Sequence, residues 1–274
     1  MATSGRRGTG QLRRSRRHGH GGEVRQRRAR LDPAELPPDR RRRGSAEEIA
    51  LGTTQDEVRE SGLIEHLEQQ AAVFWDTVQG ETQRGHRYNT GRVTGREGYE
   101  EGLRLYVLVR GLEARVAVET GVCNGVSTAF LLLALQRNGA GELHSIDLPE
   151  VAGEEYEAGT FWDGKGGAVI PPGKEPGWMV PPELRDRWHL VLGRSQDELP
   201  PLLDRVGAID FFMHDSEHSY ECMSFEFRTA WEALRAGGVL VADDVNVNTA
   251  WEEFAREVDR EPEALGPKLA MIVK

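Results

Sequence analysis

From Arg115 to the C-terminus the chain alternates short apolar runs with stretches of helical period, and this restricts the fold more than any other feature. "RVAVETG" reads as a strand and "GVSTAFLLLALQRNG" as a helix ending at Gly139, followed by strands in "GELHSIDLP" and "WHLVLGRS". "AIDFFMHD" is a fourth strand, "YECMSFEFRTAWEALRAGG" a helix, "GVLVADDV" a fifth strand, "NTAWEEFAREVD" a helix and "KLAMIVK" a last strand. The pattern predicts an α/β, Rossmann-like, doubly wound and mostly parallel sheet with helices on both faces. Ligands of such sheets gather outside the carboxyl ends of the strands. Gly121, Asp147, Asp215, Asp243 and Asp244 all fall at those ends.

Three segments follow from pattern and charge. Residues 1–44 lack hydrophobic periodicity, and residues 1–43 carry fourteen Arg against four acids, so a disordered Arg-rich tail is expected there. A solvated tail, or upstream sequence translated from an early start codon, is the simpler reading; an arm for anionic surfaces is the other. Residues 45–97 read as a helical lead-in, with Leu63, Leu67, Val73, Phe74 and Val78 on one stripe. Residues 98–274 form the main domain, opened by a helix that sets Leu105, Leu108, Val109 and Leu112 on one side. Within it, residues 151–187 interrupt the alternation with seven Gly, paired Pro and two Trp, and a loop this long predicts a lid or substrate wall. Trp162 and Trp178 are its wall candidates, whereas Tyr220, Phe225, Phe227 and Trp231 read as helix packing.

The whole chain has a net charge of −10, which leaves the body after the tail strongly acidic and argues against nucleic acid as a partner. No apolar run approaches the roughly 20 residues of a membrane helix, so no membrane partner is expected. Cys123 and Cys222 sit in apolar, structured segments, which suggests reduced thiols and a cytoplasmic location. The lead-in offers a surface for a homodimer.

"VETGVCNGVST" places Glu119, Gly121, Gly125 and Ser127 in a turn between strand and helix. Glycines there let the backbone approach a ligand, and the helix start offers N–H donors. The spacing is neither G-x-G-x-x-G nor a P-loop. Asp147 ends the next strand 22 residues past Gly125, where an acid meets a ribose hydroxyl pair. The combination points to a nucleoside.

Taken in order, "VAVETGVCNGVST", "HSIDLP", "HLVLGRSQDELP" and "GGVLVADDV" resemble class I S-adenosylmethionine-dependent methyltransferases. The likeness, over residues 98–274, is to a bacterial, family-24-like group similar to metal-dependent O-methyltransferases. It implies a seven-stranded sheet, S-adenosyl-L-methionine as methyl donor, and the loop of Gly121 and Gly125 against its methionine and ribose portions. Glu119 would lie near the methionine amino group and Asp147 on the ribose hydroxyls. Gly193, Arg194, Ser195 and Gln196 would line the adenine, although the family often has an acid where Arg194 stands. The family's closing pair of antiparallel strands is only half visible: "REPEALGPKLAMIVK" offers one clear strand, with Pro262 and Pro267 disturbing the other.

Asp215, Asp243 and Asp244 would converge from the fourth and fifth strand tips. Oxygen donors of this kind suit Mg²⁺ or another divalent cation, and the resemblance implies the same. Helix capping is the plainer account of Asp243 and Asp244. His218, three residues past Asp215, suits a general base, with Glu217 competing and His214 behind it. A His214–His218–Asp215 iron triad is disfavoured because His214 ends a strand. The expected activity is methylation of a small-molecule hydroxyl. The alternatives are a metal-independent N- or C-methyltransferase and a non-catalytic nucleoside-binding module.

Overall fold

The structure is a computed structural model that describes residues 55–78, 96–151, 154–163 and 169–274. The expected tail at 1–44 lies outside the described residues, as do parts of the lead-in. Residues 55–60 are helical, and after them come α1 (Leu63–Val78) of the lead-in and α2 (Arg96–Gly111), the helix that opens the main domain. Then follow β1 (Val116–Thr120), α3 (Val126–Arg137), β2 (Glu142–Asp147), and the two-residue strands β3 (Glu150–Val151) and β4 (Val169–Ile170). A 3₁₀ turn (Pro182–Arg187) leads into β5 (Trp188–Leu192), α4 (Ser195–Val206), β6 (Ile209–His214) and α5 (Tyr220–Ala233). The chain closes with β7 (Leu234–Ala242), α6 (Ala250–Glu257), β8 (Glu263–Ala264) and β9 (Ala270–Val273).

Seven strands form one sheet in the order β5-β2-β1-β6-β7-β9-β8. The first five are parallel, and β9 runs antiparallel between β7 and β8. The second closing strand is therefore present but holds only two paired residues, Glu263 and Ala264. Pro262 stands before it and Pro267 lies in the bend after it, where neither removes a ladder hydrogen bond.

Period-two alternation divides the core. Ala117, Leu143, Phe211 and Val241 face a cluster with α1, α2 and α3, while Val118, Ile146, Phe212 and Leu240 face α4, α5 and α6. Helix α3 is buried nearly all round, which suits its unbroken "AFLLLAL". On α1 the buried stripe is Leu63, Leu67, Ala71 and Phe74. Val73, expected on it, is 43% exposed, because the helix turns about 100° per residue and Phe74 takes the inward position. Leu105 and Val109 of α2 are buried, and Leu108 and Leu112 pack at the edge of the same core.

The segment 151–187 is not a bare loop. Strands β3 and β4 pair parallel, and Val169 packs with Phe74 of the lead-in. Gly177 and Met179 donate main-chain N–H groups to the carbonyls of Cys123 and Asn124 at 2.8 and 3.1 Å. Trp178 donates to Asn124 Oδ1 at 2.6 Å, so it anchors the segment to the glycine turn instead of presenting a wall. Phe161, Trp162 and Ile170 do face the cleft described next.

Candidate active site

Main-chain hydrogen bonds hold the strand tips level. Gly193 N–H donates to Asp147 O, Gly121 to Ile146 O, Asp215 to Thr120 O and Asp243 to His214 O, at 2.8–2.9 Å. Five chain segments leave the sheet at this rim, and between them lies a cleft of about 650 Å³. Its lining includes Gly121–Ser127, Asp147, Gly193–Gln196, Asp215–His218, Asp243 and Asp244. Glutamate 119, that is Glu119, is the expected site residue that does not reach this wall.

The glycines answer to packing as much as to a ligand. Gly121 has φ +87°, and a Cβ there would stand 2.0 Å from Asp215 O. Only glycine lets β1 turn beneath the tip of β6. Gly125, φ +90°, lies against Gly177, whose Cα would be 2.6 Å from an added Cβ. Its small size thus serves the docking of the 151–187 segment.

Asp147 is buried, with Oδ1 accepting from the N–H groups of Val122 at 2.9 Å and Cys123 at 3.4 Å. Oδ2 is buried without a hydrogen-bond partner. Burial raises its pKa to about 6, against the two main-chain donors. Glu119 is wholly buried and accepts from Ser127, Thr128 and Ser145 at 2.6, 2.8 and 2.9 Å. Its pKa is pushed up to about 7 by burial, with those hydroxyls opposing. Glu119 thereby fixes Ser127 and the start of α3 from below. At the other side of Asp147, the Arg194 guanidinium lies 5.3 Å from the Phe161 ring centre, beside Gln196. Ser195 is buried, with Oγ 3.6 Å from Cys222 Sγ. Both cysteines are free thiols.

At the opposite end the acids do not converge as a set of three. Donor atoms of Asp215, His218 and Asp243 lie within 4.8 Å of one another. Asp244, in a left-handed backbone conformation, instead accepts from Lys268 Nζ at 2.6 Å, and its Oδ2 is 3.9 Å from His218 Nδ1. Lys268 comes from the β8–β9 connection, too far along the chain for local pattern to announce it. His218 Nε2 stands 3.7 Å from Asp215 Oδ1. Burial, then nearby His214, lowers the His218 pKa against Asp243 and Asp244, leaving a neutral imidazole able to take a proton or bind a cation. Glu217 also lines the cleft.

His214 is wholly buried, with its ring packed edge-on to His218 at 5.3 Å. Its Nδ1 lies 2.6 Å from Glu226 Oε2. Glu226, fully buried on α5, also accepts from Thr120, Ser216 and Cys222. Burial alone would raise its pKa, but His214 and the donors hold it at about 2. This carboxylate ties β1, β6 and α5 together beneath the cleft, and the sequence reading missed it. The available signal was an acid on the buried stripe of Cys222, Met223, Phe227 and Ala230.

A parallel sheet closed by an antiparallel pair, with a cleft at its carboxyl rim, is the architecture of class I S-adenosylmethionine-dependent methyltransferases. Residues 118–245 match a family model described as a methyltransferase domain. The calicheamicin methyltransferase shares the fold at 18% identity, over 75% of this chain and 92% of that one, with a TM-score of 0.50. Its apo form, a TDP-rhamnose 3′-O-methyltransferase, aligns at 15% identity, 75% and 94% coverage and TM-score 0.50. An O-methyltransferase from Bacillus cereus in complex with S-adenosylhomocysteine aligns at 16% identity, 78% and 91% coverage and TM-score 0.44. Among curated protein sequences none matches the chain. Among the described residues no helix is long and apolar enough to cross a membrane.

Proposed function

We propose that this domain transfers the methyl group of S-adenosylmethionine to a hydroxyl oxygen of a small molecule. The observation that carries the nucleoside end is Asp147 Oδ2, a buried acceptor at a strand tip with no hydrogen bond of its own. An orphaned buried acceptor is costly, and a ribose diol supplies the missing donors. The turn at Gly121–Gly125 and the start of α3 would hold the methionine end, and Arg194, Ser195, Gln196 and Phe161 would flank the adenine. Bound there, the donor supplies an electrophilic methyl on a sulfonium. The chain's own part is to align the acceptor hydroxyl, exclude water and take the hydroxyl proton at His218.

Asp215 and Asp243 fit a divalent cation, since donor atoms of the two carboxylates lie within 4.8 Å of each other and water and substrate oxygens would complete the shell. Mg²⁺ is the natural choice for the carboxylates, and bound there it lowers the pKa of a hydroxyl. His218 then remains the base. The Lys268–Asp244 pair favours a second reading, in which the same transfer runs without metal because one of the three acids is already neutralised. The size of the cleft suits a nucleoside with a small acceptor beside it.

Calorimetric titration of S-adenosylmethionine and S-adenosylhomocysteine into the wild type and Asp147→Asn tests the nucleoside end. The variant should bind about 100-fold more weakly; failure of the wild type to bind either ligand sinks the proposal. His218→Ala should keep that binding and lose about 10²–10⁴-fold in turnover on a hydroxyl-acceptor panel. Turnover unchanged by EDTA would select the metal-free reading.

A further inference from the structure

A second group of ligating side chains lies outside the cleft, at the opposite part of strands β2 and β5. Glu142 and His144 alternate onto one face of β2, and the parallel register sets His189 directly beside His144. The two imidazoles stack at 4.8 Å with 18° between their planes. Glu142 Oε2 lies 3.7 Å from His144 Nε2 and 3.3 Å from His189 Nε2, and donor atoms of all three residues fall within 4.8 Å of one another. None of the three lines the methyltransferase cleft.

We infer that Glu142, His144 and His189 form a binding site for a transition-metal dication of the Zn²⁺ type, which staples edge strand β5 to β2. The spacing supports this. Ligands about 2.0–2.1 Å from one tetrahedral ion stand roughly 3.3–3.5 Å apart, close to the two separations seen. At 3.7 Å the His144 contact is too long for a hydrogen bond but suits two ligands of one ion. His144 is only 9% exposed, so an ion on its Nε2 would be held on one side by a buried ring. Two nitrogens and one carboxylate favour Zn²⁺ and its neighbours over Mg²⁺. The fourth position faces solvent beside the half-exposed His189 and is left to water.

The test is Zn²⁺ titration of the full chain by calorimetry, in the wild type and in His189→Ala, Glu142→Gln and Asp243→Asn. His189 and Glu142 are exposed enough for both changes to leave the fold intact. Histidines elsewhere, including His18 and His20, are common to all four proteins, so differences report on this site. Removal of one ligand should weaken one Zn²⁺ event by more than the roughly 10–100-fold that an outer-shell change costs. Asp243→Asn should keep that event, and Zn²⁺ should raise the melting temperature of Asp243→Asn but not of the double variant Asp243→Asn/His189→Ala. A His189→Ala isotherm that overlays the wild type overturns the assignment. So does a Zn²⁺ event lost in Asp243→Asn but kept in both His189→Ala and Glu142→Gln.

Discussion

Around Asp147 the carboxylate itself is held by main-chain N–H donors, placed as soon as the strands pair, whereas around Asp215 the carboxylates stand against charged and titratable side chains. Asp147 Oδ1 is held by Val122 and Cys123, and the turn that supplies them is pinned from outside by Gly177 and Met179. At the acidic end main-chain bonds level the tips at Asp215 and Asp243, and side chains set the charge. Asp244 is shared between Lys268 and His218, and His218 stands off both acids by 3.7–3.9 Å. One end is therefore set by backbone geometry and tolerates little change. The other is set by charge balance among side chains that can rearrange when an acceptor or cation enters.

The sharpest way to break this contrast is at the residue where the ends meet. Gly121 belongs to the nucleoside turn, yet its missing Cβ is what makes room for Asp215 O. Gly121→Ala adds a 2.0 Å clash to a backbone at φ +87°, so one methyl group should disturb both ends. We expect a loss of more than about 4 kcal/mol in denaturant unfolding, together with loss of nucleoside binding. Wild-type stability in this variant would mean that the turn is plastic and the contrast misdrawn.

The contrast also accounts for what the sequence disclosed. Strand tips, the glycine turn and Asp147 were legible because they follow from period-two patterns and short spacings. Residues that act through tertiary contact were not. Lys268 reaches Asp244 from the far hairpin, and Glu226 looks like any helix glutamate until the sheet covers it. Trp178 and Trp162 carry the same local signal in one glycine-rich segment, and only the Asn124 contact of Trp178 separates an anchor from a wall. The acidic cluster was read as three converging carboxylates because adjacent strand tips suggest it. A left-handed turn at Asp244 and one distant lysine direct the third acid elsewhere.

A buried carboxylate should also make the nucleoside end pH-dependent. Asp147 ionises at about 6 instead of its ordinary 3.8, so between those values the folded chain holds a proton that the unfolded chain has released. Stability from this group therefore falls as pH rises from about 4 to 6, by on the order of 3 kcal/mol, and is constant above. Ribose hydroxyls need the charged form, so binding moves the other way. Affinity for S-adenosylhomocysteine should drop about tenfold from pH 7 to pH 5, and Asp147→Asn should abolish the dependence. A flat profile in the wild type would place the ribose on other acceptors.

The smallest effect is expected from the charge balance at the other end. Lys268 is half exposed, and its pair with Asp244 is worth at most about 1 kcal/mol to the fold. Lys268→Met should thus leave the melting temperature nearly unchanged. It removes a positive charge from the rim of the cation site and releases Asp244 Oδ1, which should tighten Mg²⁺ binding by about 1 kcal/mol, or roughly fivefold. Magnesium titration of the variant against the wild type measures this directly. If affinity does not change, Asp244 lies outside the field of the site, and the acidic end is Asp215 and Asp243 with His218 alone.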